Sequence, residues 1–180
     1  MVGRRGLDGS HYRGFEPHRA PDRPHNRAME VWVVFKYLHI LAVIVALGAN
    51  LTYQFWLSRA KGSPGELVFV LESISRLDRR VANPAYIVAA VAGVFIVFTG
   101  PYGFESPWIV AAIGLYVLVA VLGIAAYAPA AHAQLDLART APDSPAYAAA
   151  ARRTQLLGLL VTAIVLVIVW LMVAKPALWG

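Results

Sequence analysis

Cysteine is absent from this chain of 180 residues, which excludes disulfides, thiolate metal sites and thiol redox chemistry. Charge is scarce as well. Only 14% of the residues are Asp, Glu, Lys or Arg, against about a quarter in soluble domains. None of the long apolar stretches contains Asp or Glu, so they lack the carboxylate relay usual in proton pumps. There is no Walker A loop, Gly-rich dinucleotide fingerprint, HExxH helix or nucleophile elbow. No internal repeat is visible either.

What remains is apolar. Hydrophobic residues make up 59% of the chain and its mean hydropathy is +0.59. A soluble domain of this size buries only about two-thirds of its surface, too little to hide so much apolar area. A bilayer removes that difficulty. Four apolar stretches, 31–57, 84–100, 107–128 and 156–174, each approximately cross a hydrocarbon core of about 30 Å at 1.5 Å per residue. Ser63-Pro64, Asn83-Pro84, Ser106-Pro107 and Ser144-Pro145 read as helix starts, a capping side chain followed by proline at the first helical position. Ser63 with Glu66 has the capping-box spacing. It opens an amphipathic helix with Leu67, Val70, Leu71, Ile74 and Leu77 on one side, expected to lie in the interface ahead of the second span. Lys175-Pro176 ends the fourth helix. The fold class is all-α, an integral membrane antiparallel four-helix bundle in which short connections favour sequential neighbours.

Residues 1–28 are rich in Arg, Gly, Pro and His and cannot form a core, so they read as a disordered basic tail. Met29 is a second candidate start, which makes 29–180 the membrane domain. His11, His18 and His25 recur every seven residues, which reads as an accident of a biased tail, with a weak copper or nickel site as the alternative. The net charge is +6, but the basic residues lie in the tail and loops, where they suit anionic lipid and not nucleic acid. Arg59, Lys61, Arg76, Arg79 and Arg80 fall in the first connection, and Arg139, Arg152 and Arg153 around the third. The second, GPYGFESP, has no basic residue. With the tail's arginines set aside, the positive-inside rule puts both termini outside and the basic loops in the cytoplasm, in a bacterial inner membrane. The expected partners are the lipid bilayer and a second copy or another membrane protein.

Polar groups at bilayer depth are costly and call for an explanation. Lys36, His39, Asn50, Tyr53 and Gln54 share one stripe of the first helix, with Ala42 and Ala46 between them. Leu41, Val45, Thr52 and Phe55 form the opposite, lipid-suited face. The stripe therefore faces the bundle. Asn50, Tyr53 and Gln54 read as inter-helix hydrogen bonds, and Lys36 as a snorkelling anchor. For His39 two readings stand side by side: a bundle hydrogen bond, or a haem or metal ligand. His39 lies about 12 Å below the outer end of its helix and Tyr116 about 13 Å below the outer end of the third. Ala92 and Gly93 of the second span fall near that level, so the four outline a pocket. The Ala89–Gly93 pair also fits simple close packing of helices. His132 should sit roughly 25 Å of depth from His39, which excludes a bis-histidine haem within one chain.

The stretches KYLHILAVIVALG, LDRRVANPAYI and WIVAAIGLYVLVAVLGIAAYAPAAHAQL resemble an uncharacterised bacterial family of predicted integral membrane proteins. That family is similar to the copper-resistance-D-like superfamily, which also holds the four-helix membrane protoporphyrinogen oxidase. The resemblance covers about residues 30 to 175. It implies the four-helix fold and a haem-binding role for the first-span histidine, here His39. The oxidase pattern has a Trp soon after that histidine and a Pro-Arg further on, where this chain reads Val45-Ala46 and Tyr53-Gln54-Phe55. Oxidase activity is therefore not what the resemblance implies. Two function classes follow: a membrane protein binding haem or a metal through His39 with Tyr116 nearby, or a non-enzymatic helper or small-solute carrier whose stripe only packs the bundle.

Overall fold

The computed structural model describes residues 24–60 and 64–178, and among these it is helical with no strand. The helices are α1 (Pro24–Arg59), α2 (Pro64–Leu77), α3 (Asn83–Thr99), α4 (Pro107–Leu122), α5 (Ala128–Thr140) and α6 (Pro145–Ala174). A π-helical turn, Asp78–Ala82, joins α2 to α3, and a second, Gly123–Tyr127, joins α4 to α5. The six helices are thus four continuous rods. Their candidate spans hold 31, 35, 34 and 30 residues, or about 45 to 53 Å at 1.5 Å per residue. That exceeds a hydrocarbon core of about 30 Å, so each rod can cross it and project beyond. Phe98, Ile124 and Val173 are 72, 78 and 79% exposed on the outside of the rods. Lipid is the medium that accepts such side chains. The chain is an integral membrane four-helix protein.

Of the expected tail, residues 1–23 and the side chains of His11, His18 and His25 lie outside the described residues. α1 begins inside that segment, at Pro24.

Two helices start where expected. Ser106 and Ser144 both adopt extended backbone ahead of a proline; the Ser144 hydroxyl accepts from the Tyr147 N–H at 3.1 Å, whereas the Ser106 side chain makes no cap bond. Ser63 lies outside the described residues. Asn83-Pro84, by contrast, starts nothing, because the rod runs straight through it. Asn83 is helical (φ −63, ψ −46) and donates its N–H to the Asp78 carbonyl five residues back. In an α-turn a proline ring clashes with the carbonyl four residues earlier. The wider π-turn gives the ring room. Ala128-Pro129 repeats the device, with Ala128 N–H donating to the Gly123 carbonyl. Consequently α2 is continuous with α3 and not a separate helix. It is one half of the second rod, with Leu71 buried and its apolar side against α5.

α1 packs along α3, and α6 along α4 and α5. Ala42 and Ala46 on α1 and Ala89 and Ala92 on α3 are buried where these two helices pack, and such small residues let two backbones approach closely. The rings of Phe35 and Phe95 stack at 3.8 Å between centroids along the same seam. The resulting helical hairpins meet where α2 touches α5 and α1 touches α6. α3 and α4 are not close neighbours, although only residues 100–106 connect them: their Cα atoms stay more than 8 Å apart. The tyrosine side chain of Tyr116 bridges that space, so aromatic bulk here replaces the small-residue contact of the α1–α3 seam.

Candidate functional site

The polar residues of α1 meet the rest of the bundle at three levels. Near the end that carries residues 100–106, Trp32 packs against Gly100, where a Cβ would fall 2.5 Å from the indole nitrogen. Lys36 is exposed, its ammonium 4.9 Å from the centre of the Trp32 ring. The Lys175 ammonium donates to the Tyr102 hydroxyl at 3.0 Å and also lies over the Tyr102 and Trp108 rings. This contact holds the Tyr102 phenol below its usual ionisation range, with the Lys36 charge adding to the effect. Aromatic rings and lysines at one end of a bundle match the composition of a membrane–water boundary.

His39 occupies the second level. Its Nδ1 is 2.7 Å from the Ala89 carbonyl oxygen. A carbonyl can only accept, so Nδ1 carries a proton, and in the neutral ring Nε2 is then the nitrogen with the lone pair. The ring rests on Gly93, where a Cβ would come within 3.1 Å of Nδ1 and Cε1. Tyr116 donates to the Tyr86 carbonyl at 3.0 Å. The acceptors of His39 and Tyr116 are therefore carbonyls three residues apart on α3, about 4.5 Å along its axis.

At the third level Asn50 donates to the Tyr86 hydroxyl at 2.7 Å and Tyr53 to Asp78 Oδ1 at 2.7 Å. Tyr53 is buried, while Asn50 and Gln54 are half-buried. Beyond it, Arg139 of α5 reaches Glu72 of α2 at 2.7 Å, joined by Arg76 and Asp136. His132 is exposed on α5.

Asp78 escapes a reading of apolar stretches alone, since it lies six residues ahead of the one that begins at Pro84. The second rod is a single helical unit from Gly65 to Thr99, and it carries Asp78 ahead of the apolar stretch 84–100, which itself holds no acid. A signal for it exists in the sequence. Asp78 follows Ile74 by four residues and Leu71 by seven, which puts it on the apolar side of α2.

Among the described residues no three His, Asp or Glu side chains gather as a metal cage would require. A family model described as "Predicted integral membrane protein (DUF2269)" matches residues 33–176. No curated protein and no solved structure matches the chain.

Proposed function

The chain belongs to that family of predicted integral membrane proteins, and we propose that within the bundle His39 binds a haem or another metal centre. The observation that carries this reading is the imidazole itself. It is fixed between α1 and α3 by its Nδ1–H bond to Ala89 and keeps Nε2 as a free donor atom. Ligating histidines typically have their second nitrogen bound to a carbonyl or carboxylate in this way. The residues fit a group that asks the protein for one ligand, with Tyr116, water or another subunit as the source of a second. A bound haem would supply a one-electron centre. The chain's own part is to orient the imidazole and exclude water.

The distant similarity to the copper-resistance-D-like superfamily supports this reading. The topology that goes with it is a bacterial inner-membrane protein with both termini outside and the α2/α5 end, with Arg76, Arg79, Arg80 and Arg139, in the cytoplasm. Reporter fusions after residue 180 and in the turn following Arg139 test that orientation. A cytoplasmic reporter signal at the C-terminus would reverse it.

The second reading, a helper or small-solute carrier whose stripe packs the bundle, draws on a specific observation. Asn50 and Tyr53, like His39, each bond directly to a neighbouring helix. The visible spectrum of protein purified in mild detergent from haem-supplied cells separates the two. A Soret band lost in His39→Ala supports the ligand. A colourless, metal-free wild type favours the packing role, and a band surviving in His39→Ala moves the ligand elsewhere.

A further inference from the structure

The second rod carries a carboxylate that the His39 reading does not use. Asp78 is half-buried and opens the first π-turn, a distortion that occurs frequently at functional sites. Tyr53 of α1 donates to its Oδ1 at 2.7 Å. A phenol of the first rod and a carboxylate of the second thus meet between two helices.

No basic group among the described residues forms an ion pair with it. At the same end, Glu72 and Asp136 are paired with Arg76 and Arg139, and Arg79 and Arg80 are exposed. An unpaired carboxylate among apolar rods is unfavourable unless something neutralises it. The smallest cation that can neutralise a carboxylate already holding a phenol hydroxyl at 2.7 Å is a proton.

We propose that Asp78 is a proton-binding site, at which the bundle takes up and releases one proton at its α2/α5 end. The step is a simple acid–base exchange: a hydronium ion gives its proton to the carboxylate, leaving water and the neutral carboxyl. The Tyr53 phenol stays protonated throughout. Its hydroxyl donates to the carboxylate, and on protonation it rotates to accept from the carboxyl O–H. Tyr53 is the positioning residue of the pair.

Infrared spectroscopy of the full chain in detergent, titrated across pH, reads the carbonyl stretch of protonated carboxyls. Subtracting Asp78→Asn from wild type isolates Asp78 from the other Asp and Glu residues, since the chain has 10 in all. The expected difference is one carboxyl band that comes and goes reversibly with pH, and Tyr53→Phe moves both its frequency and its midpoint. A difference without a titrating carboxyl overturns the proposal. If Asp78→Asn does not fold, wild type minus Tyr53→Phe serves instead, and the absence of a shifted, titrating band is equally fatal. His39→Ala should leave the band in place, so failure of the metal-site reading leaves this one standing.

Discussion

At the scale of single residues, one close constraint inside the bundle is the fit of His39 against Gly93. A methyl group at Gly93 would sit 3.1 Å from two atoms of the imidazole, closer than packed atoms ordinarily approach. The ring cannot retreat without losing its bond to Ala89. Gly93→Ala is therefore expected to destabilise the protein by about 1–3 kcal/mol, the usual cost of overpacking. In a His39→Ala background the ring that clashes is gone, and the same change should cost at least about 1 kcal/mol less. Detergent-based unfolding of the four proteins of this cycle measures the coupling, and simple additivity would show that the two residues do not press on each other. The inward side of α1 was legible at this scale because a helical stripe needs only residue spacing. His39, Asn50 and Tyr53 carry polar groups at positions that face other helices. Their partners were not legible. Tyr86, Asp78 and the Ala89 carbonyl are fixed by the relative height of two rods, which nothing within either segment encodes.

At the scale of elements, the two π-turns decide where the rods begin and end. Asn-Pro reads locally as a cap and a first helical residue, and that reading holds only if the preceding segment stops. Here it does not stop. Each π-turn ends two residues ahead of its proline, Ala82 before Pro84 and Tyr127 before Pro129, and widens the helix enough to carry the ring through. An unrelieved proline in a helix interior costs about 3 kcal/mol relative to alanine. If the π-turn absorbs most of that cost, Pro84→Ala should change stability by well under about 3 kcal/mol. The same outcome is expected for Pro129→Ala. Unfolding in detergent decides it. A gain near the full proline penalty at either site would mean that the turn relieves nothing. The serine-proline starts of α4 and α6 were legible for the complementary reason: short polar connections precede them, so no upstream helix competes for the cap.

At the scale of the whole molecule, the rods form two helical hairpins joined unevenly. Within the first, alanines draw α1 and α3 together, and within the second, α6 packs on α4 and α5. Between α3 and α4 the backbones stand more than 8 Å apart, bridged by Tyr116. Chain connectivity had suggested close neighbours there, but a short link fixes only the ends of two helices and leaves their separation to side-chain size. The absence of cysteine makes the difference measurable, because any introduced thiol is unique. Spin labels at lipid-facing Leu41 and Val91 report on α1 against α3, and labels at Val91 and Val117 report on α3 against α4. A seam closed by small residues has little freedom, whereas a gap held by one tyrosine can open by rotation of a single side chain. The expected distance distribution is narrow for the first pair and broad for the second. Tyr116→Phe removes the hydroxyl that holds the Tyr86 carbonyl, so it should broaden the second distribution further and leave the first unchanged. Equal widths in the wild type, or a Tyr116→Phe effect on both pairs, would mean that the hairpins move as one body.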